Sequence, residues 1–116
     1  MAPDFNALAD ATRRTILALL RLEGELCVCE LEAALDLIQP VVSRQLALLR
    51  EAGWVEGRRE GRRMFYRLPA ALPAWALLVV RGCAEGGVPA DHVVRARARL
   101  HRFEGRPTRT AIQVAS

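Results

Sequence analysis

The spacing of apolar residues changes from a helical to a strand pattern directly after Gly53, and this change limits the folds available to the chain. Before it, Gln39 is the predicted cap and Pro40 the first turn of a helix that Gly53 closes. The predicted buried stripe of this helix is Val42, Leu46 and Leu49. After it, residues 54–56 and 64–68 flank an arginine-rich turn and predict a two-stranded hairpin. Because a lone hairpin is only marginally stable, it must pack on the preceding helices.

Further helices are expected on both sides of this unit. Thr12 is a candidate cap for one of them, and Gly24 is a stop signal. Together with apolar residues at helical spacing, such signals predict helices over residues 5–11, 12–23, 26–37, 73–85 and 91–103. A chain of 116 residues is long enough for one compact domain without disulfides. The predicted fold class is therefore mainly α with a small β-hairpin.

The positive charge is concentrated in two parts of the chain. Residues 1–38 carry three Arg and seven acidic residues, whereas residues 39–67 carry seven Arg and three acidic residues, and residues 90–116 carry six Arg and two. All 17 basic residues are Arg, which a GC-rich genome explains as readily as a preference for phosphate and guanine contacts. A basic stripe of this kind indicates a nucleic-acid partner only weakly on its own.

The order of the elements makes the partner more specific. Two short helices, the second opening at Gln39, followed directly by a basic hairpin, form the order of a winged helix-turn-helix. The side chains expected to face base edges are Gln39, Ser43, Arg44 and Gln45. Pro40, in the same first turn, is also expected at the DNA, and Arg50 is expected to contact phosphate or solvent. The hairpin arginines expected along the DNA backbone or in a narrowed minor groove are Arg58, Arg59, Arg62 and Arg63. We therefore predict a DNA-binding and dimerisation domain over residues 1–88, with a basic C-terminal helix and flexible tail over 89–116.

Cys27 and Cys29 lie two residues apart at the start of the helix predicted over residues 26–37. Two thiols at that spacing point about 200° apart around an ideal α-helix, so chelation of one ion requires extended or unwound backbone there. A soft ion such as As(III) or Sb(III), bound through deprotonated sulfur, would distort the first helix of the DNA-binding pair. The other interpretation is a pair of small, half-buried apolar residues.

Several other classes of protein fit the sequence poorly. Three cysteines, an odd number, do not indicate a disulfide framework. No secretory signal begins the sequence, and the longest apolar run, residues 70–80, is short and interrupted by Pro73, which predicts a soluble cytoplasmic protein. No convergent acid, base and anion-binding loop is evident, so an enzyme that uses these thiols for redox or transfer chemistry is disfavoured. DNA binding is expected to need no cofactor.

The sequence resembles the ArsR/SmtB family of repressors, and specifically its arsenical-resistance branch. The motifs that carry the resemblance are LADATR at 8–13, ELCVCEL at 25–31, QPVVSRQLALLR at 39–50, GRRMFYRL at 61–68 and PAWA at 73–76. The resemblance implies a winged helix-turn-helix homodimer that binds an inverted-repeat operator. It also implies repression of a resistance operon until As(III) or Sb(III) engages the cysteines.

The resemblance leaves the third ligand open. The best-known pattern has another cysteine at the position that Glu32 occupies here. Cys83, an exogenous thiol or binding by two sulfurs alone are the options, although Cys83 fits a buried interface position better. A related branch senses zinc through carboxylate and histidine ligands on the last helix, and Asp91, His92 and His101 invite that comparison.

Two functional alternatives keep the same fold. The thiols of Cys27 and Cys29 would sense oxidation by forming a disulfide, although that pair closes a strained small ring. Alternatively, the protein would sense cadmium, lead or zinc, for which the N-terminal segment supplies no further cysteine.

Overall fold

The computed structural model describes residues 2–108 as five α-helices and a small three-stranded antiparallel sheet. A short 3-10 helix, Phe5–Ala9, comes first. The helices are α1 Ala11–Glu23, α2 Val28–Leu35, α3 Gln39–Glu51, α4 Ala74–Glu85 and α5 Ala90–Arg102, and the strands are β1 Glu25–Cys27, β2 Glu56–Glu60 and β3 Arg63–Arg67. The predicted fold class, mainly α with a basic hairpin after a helix-turn-helix, is confirmed. No helix within these residues has the length and apolar character needed to span a bilayer.

The first helix predicted from the sequence is broken at Asp10. The backbone of Asp10 is extended, with φ −103° and ψ 130°, and its carboxylate accepts a hydrogen bond from the Arg13 N–H at 3.1 Å. Asp10, and not Thr12 as predicted, therefore caps α1, because an aspartate side chain satisfies an orphan N–H of the first turn. Gly24, at φ 91°, ends α1 as expected.

The helix predicted to start at Leu26 begins later, at Val28. Glu25–Cys27 forms a strand that pairs antiparallel with β3, with Glu25 opposite Arg67 and Cys27 opposite Phe65. The predicted two-stranded hairpin is consequently part of a three-stranded sheet in the order β1-β3-β2. A three-residue strand is too short to show alternation, and its partner lies about forty residues further along the sequence, so local spacing did not indicate it.

Helix α3 matches the sequence expectation closely. Its buried stripe is Val42, Leu46 and Leu49, each 0% exposed. Ile38, one residue before the predicted cap Gln39, is the N-cap, and Gln39 opens the helix with Pro40 in the next position. Proline is tolerated in the first turn because its missing N–H would have no helical partner there.

The two strands of the hairpin are joined by Gly61 and Arg62, between the paired residues Glu60 and Arg63. Gly61 has φ +61°, the backbone region that glycine enters at no steric cost and that the first position of a type II′ turn requires. The turn therefore holds the strands of the wing in register.

Helices α4 and α5 pack against the first two α-helices. In α4 the buried residues are Ala76, Val80 and Cys83, and in α5 they are Val93, Ala96 and Leu100. Helix α5 packs mainly against α2 and α4 mainly against α1. The chain after α5 belongs to the segment predicted as a flexible tail. In this segment Arg106 forms an ion pair with Glu30, and residues 109–116 lie outside the described part of the chain.

Candidate DNA-binding surface and thiol site

The exposed start of α3 carries the side chains predicted to read bases. Gln39, Pro40 and Arg44 are exposed, and Ser43 is half-buried. Gln39 Nε2 donates a hydrogen bond to Ser43 Oγ at 2.7 Å, so these two side chains are held together on one helix face. Within residues 2–108, Arg44 makes no hydrogen bond or ion pair, and its guanidinium is therefore available to a base edge.

Gln45 is held from behind by a residue that sequence reasoning did not select. Arg13 Nη1 donates to Gln45 Oε1 at 2.9 Å, and Arg13 Nε donates to the Ala7 carbonyl at 2.6 Å. Arg13 thus connects α1, the 3-10 helix and the recognition helix. The sequence shows only that an arginine lies in the first turn of α1. That position does not indicate a hydrogen-bond partner 32 residues away.

The wing arginines fall into two groups. Arg59, Arg62 and Arg63 are exposed, and no contact with a described acidic residue engages them. Arg50, on α3, is likewise exposed. Arg58 differs from all of these because its guanidinium is turned inward.

Arg58 forms a salt bridge with Glu25 at 2.7 Å and another with Glu60 at 2.7 Å, and it lies over the Phe65 ring at 4.7 Å from the centroid. The Glu25 side chain is only 3% exposed. The hydrogen bonds that Arg58 donates to Glu25 and then to Glu60 raise its pKa. Arg58 therefore connects β1 with the hairpin, whereas the sequence had grouped it with the arginines that face DNA.

The two thiols open into the cleft between the start of α2, helix α3 and the wing. The cleft has a volume of about 410 Å³. Its lining joins the thiol pair to predicted DNA-binding residues, namely Cys27, Cys29, Gln39, Ser43, Arg59, Arg62 and Arg63. Val28, Glu32, Met64 and Tyr66 complete the lining. One cleft thus brings together both groups of residues that the sequence had suggested separately.

Cys27 lies outside the helix, which changes the geometry expected for the pair. It is the N-cap of α2, with extended φ −85° and ψ 168°, while Cys29 is the second helical residue. The angle of about 200° applies only when both residues are helical, and so both thiols face one cleft while α2 stays intact. The backbone that chelation was expected to require, extended or unwound, is already present at Cys27, because β1 keeps this residue extended.

Cys27 and Glu30 form a capping box. The Cys27 N–H donates to Glu30 Oε1 at 2.9 Å, and the Cys27 sulfur accepts from the Glu30 N–H. Burial, followed by the hydrogen bond with Cys29, raises the pKa of the Cys27 thiol to about 12. Cys27 is consequently a protonated thiol at neutral pH. Glu30, 0% exposed, was not selected from the sequence, although its spacing from Cys27 fits a capping box.

The other candidate ligands lie elsewhere. Cys83 is 4% exposed and packs with Ala18, Val88 and Val93 in a separate apolar cluster, and burial raises the pKa of its thiol. Asp91 pairs with Arg95, His92 is exposed, and His101 contacts Glu23 at 3.1 Å. Among residues 2–108, no three His, Cys, Asp or Glu side chains are grouped closely enough to hold a metal ion.

An apolar surface lies at the junction of the 3-10 helix and α4. The Phe5 ring stacks on Trp75 at 5.1 Å between centroids, and Trp54 meets both rings edge-on. Phe5 is 60% exposed, and on α4 Leu77 and Leu78 are 46% and 66% exposed. Adjacent exposed apolar residues of this kind are typical of an interaction surface.

A recognition helix with an exposed polar start, followed by a wing with free arginines, defines a winged-helix transcriptional regulator. A sequence model described as "Bacterial regulatory protein, arsR family" matches residues 10–56. The arsenic resistance transcriptional regulator ArsR2 of Pseudomonas putida is 42% identical over 113 residues, with 95% of each chain covered. The chain belongs to the ArsR family.

Two further relatives are similar over a shorter length. The arsenical resistance operon repressor of Escherichia coli is 51% identical over 76 residues, which cover 66% of this chain and 65% of the relative. The regulator ArsR1 of Pseudomonas putida is 48% identical over 81 residues, which cover 70% and 63%. The chain thus spans slightly under two thirds of these two relatives.

The fold also matches a solved regulator. The structure of the transcriptional repressor BigR from Xylella fastidiosa matches with a TM-score of 0.59 and 38% identity, covering 71% of this chain and 82% of that one. The winged-helix fold is therefore shared with a known repressor.

The free energy of unfolding should distinguish the buried ion pair of Arg58 from an exposed ion pair in the same sheet. Arg58→Met removes the cation beside buried Glu25 and should lower the free energy of unfolding by about 2–3 kcal/mol, less than for a fully buried pair because Arg58 is partly solvated. Arg67→Met is the matched control, since its ion pair with Glu56 is exposed and should contribute less than about 1 kcal/mol. Urea denaturation measures both. Equal losses in the two variants would contradict the structural role of Arg58.

Proposed function

We propose that this protein is a metalloid-responsive transcriptional repressor, which binds operator DNA as a homodimer and dissociates when As(III) or Sb(III) binds Cys27 and Cys29. The observation that carries the proposal is the single cleft shared by the two thiols, the start of α3 and the free arginines of the wing. Relatives named as arsenic resistance regulators support the choice of ion. The protein would act in the cytoplasm, where operator DNA is found, and would need no cofactor for DNA binding.

The DNA contacts follow from exposure and free hydrogen-bonding capacity. Arg44 and Gln39 project from the first turns of α3, where guanidinium and amide groups pair with guanine and adenine edges in the major groove. Arg59, Arg62 and Arg63 would neutralise phosphates beside that groove, and Arg50 would do so from the far end of α3. Gln45 would contact DNA only in the orientation that Arg13 gives it. We assign Arg58 to holding the wing rather than to DNA.

The chemistry of the thiol pair suits trivalent arsenic. In neutral water As(III) is a hydroxide, As(OH)₃, and each thiol proton leaves with one hydroxyl group as water when an As–S bond forms. A protonated Cys27 is therefore a competent partner for it. A divalent cation must instead displace that proton into solution, so the raised pKa of Cys27 weakens its binding. This difference favours As(III) and Sb(III) over cadmium, lead and zinc.

The release mechanism is local. An ion that draws the sulfurs of Cys27 and Cys29 together must shift the cap of α2 or the end of β1. Helix α2 packs on the recognition helix, and β1 pairs with the wing strand β3, so either shift displaces a DNA-binding element. Effective release requires the ion to bind the DNA-free form about a hundredfold tighter than the bound form, or about 3 kcal/mol of coupling.

The third arsenic ligand comes from outside this chain in our proposal. Cys83 packs in a different cluster, on the side of α4 that faces Ala18, and it does not line the thiol cleft. An exogenous thiol or a retained hydroxyl group completes the coordination of the ion bound to Cys27 and Cys29.

A second candidate function is supported by the position of the two thiols. Cys27 and Cys29 line the same cleft, so an oxidant that enters the cleft would meet both. A disulfide between residues two apart in sequence is strained, which places oxidation sensing behind metalloid sensing.

Operator binding should separate base-reading from phosphate-binding arginines. Arg44→Ala should weaken binding by about 1–3 kcal/mol and relax base preference at its contact. Arg62→Ala and Arg63→Ala should each weaken binding to every DNA sequence. Each should also reduce the slope of the logarithm of the binding constant against the logarithm of the salt concentration by about one. Arg81→Ala, on α4 and paired with Glu85, is the control. Fluorescence anisotropy of labelled operator over a range of salt concentrations measures these affinities. An unchanged slope in both wing variants would exclude the wing from the DNA interface.

The protein should be a dimer at micromolar concentration. The exposed surface formed by Phe5, Trp75 and Leu78 would be buried between two copies, and two-fold symmetry would supply a second half-site on the operator. Leu78→Glu should shift sedimentation towards a monomer, whereas Val94→Glu, at an equally exposed apolar residue of α5, should not. A wild-type monomer at this concentration would contradict the proposal.

The response to the inducer should depend on Cys27 and Cys29 and not on Cys83. Cys27→Ser and Cys29→Ser should leave operator affinity nearly intact and remove release by As(III), because the serine hydroxyl is a poor ligand for a soft ion. Cys83→Ser is the matched control and should still respond. The measurement is operator release under anaerobic, reducing conditions. A Cys27→Ser/Cys29→Ser double variant that still releases operator with As(III) would end the proposal.

The same assay run at several pH values separates the candidate ions. Cd(II) affinity should rise by about tenfold per pH unit for each proton displaced, and Cys27 supplies one at any pH below about 12. As(III) affinity should change little between pH 6 and 8, since its binding yields water. Release by oxidant alone, with As(III) inactive towards fully reduced protein, would favour the oxidation sensor.

A further inference from the structure

The buried carboxylate of Glu30 connects the thiol site to the segment after α5. Glu30 is 0% exposed, and its Oε1 accepts the hydrogen bond from the Cys27 N–H at 2.9 Å. Its Oε2 lies 2.6 Å from Arg106 Nε, in an ion pair across 76 residues of sequence. A carboxylate removed from water needs hydrogen bonds and a cation nearby, and Arg106 supplies a cation that helps to keep Glu30 inside.

The chain folds back to bring Arg106 to this position. Helix α5 packs along α2 and ends at Arg102, after which the Phe103 ring lies against Gly105. A Cβ atom built on Gly105 would lie 2.5 Å from Phe103 Cζ, a separation that real Cβ atoms essentially never show. A larger residue at position 105 would therefore displace the Phe103 ring next to Arg106.

We propose that Arg106 is a positioning residue of the thiol site, which fixes Cys27 through Glu30 by holding the first turn of α2 in place. The proposal rests on the proposed function in that Cys27 and Cys29 are taken as the ion ligands. Each end of the connection is a direct contact, from Arg106 to Glu30 and from Glu30 to the Cys27 backbone. The segment after α5 thereby takes part in presenting the two thiols to an ion.

Thiol alkylation measures this positioning without any metalloid. Arg106→Met should raise the rate at which iodoacetamide labels Cys27 by about tenfold, because the start of α2 loses its anchor. Arg106→Lys keeps a cation and should restore most of the protection. Arg102→Met, in the last turn of α5, is the control for loss of an exposed arginine. Cys83 is buried in another cluster, so its labelling rate, measured in the same sample, reports global unfolding of the protein.

A double-variant comparison shows whether the effect passes through Glu30. Glu30→Gln keeps an acceptor for the Cys27 N–H but removes the charge that Arg106 meets. Adding Arg106→Met to Glu30→Gln should then change the Cys27 rate by less than twofold, and this double variant also avoids an uncompensated buried charge. Additive effects, equal acceleration at Cys83, or a Cys27 rate within twofold of wild type in Arg106→Met would each overturn the proposal.

A substitution in the turn after α5 tests the same role without changing any charge, and calorimetry measures how tightly the ion binds. Gly105→Val should displace Phe103 and accelerate Cys27 labelling as Arg106→Met does. As(III) titrated under reducing conditions should bind Arg106→Met about tenfold more weakly than wild type, and Arg102→Met as wild type. If wild type itself does not bind As(III), the proposed function fails, while the labelling rates still decide the role of Arg106.

Discussion

Strand β1, Glu25–Cys27, is the connection on which the rest of the site depends. Its three residues pair with Phe65, Tyr66 and Arg67 of the wing, so the cysteine segment and the wing hairpin share backbone hydrogen bonds. The buried salt bridge between Glu25 and Arg58 spans the same sheet. Without β1, the hairpin would be an isolated two-stranded ribbon of marginal stability. With it, the extended backbone places Cys27 just outside α2, where its thiol can meet that of Cys29.

The arginines show why charge in a sequence is a poor guide to partners. Arg58, Arg13 and Arg106 were indistinguishable by composition from Arg62 and Arg63, yet the first three bind other parts of the protein. Each of these internal contacts joins residues more than thirty positions apart. Local spacing carries no information about such partners. The structure therefore reduces a basic stripe to a few arginines that remain available to phosphate.

The sequence predicted those features that depend on local periodicity and turn chemistry. The buried stripe of α3, Val42, Leu46 and Leu49, followed from helical spacing, and the wing followed from Gly61 between two short strand patterns. Non-local features were missed. The third strand needed the pairing of Cys27 with Phe65, and the cap of α1 was decided by competition between Asp10 and Thr12, which residue type alone did not resolve. The thiol pair was recognised, but its geometry was wrong because Cys27 was counted as helical.

The cleft shared by the thiols and the predicted DNA-binding residues has a thermodynamic consequence. If the ion and the operator bind as proposed, sensing and DNA binding use one cleft, so coupling needs no extended pathway through the core. Linkage is reciprocal. If an ion at Cys27 lowers the affinity for the operator by some factor, bound operator lowers the affinity for the ion by the same factor. Arginines at the cleft that are engaged by phosphate would also be withdrawn from the neighbourhood of the thiols, and the bound operator would hold the wing still. A repressor built this way would capture the ion mainly in its DNA-free state, and repression would end by a shift in population rather than by forced removal from DNA.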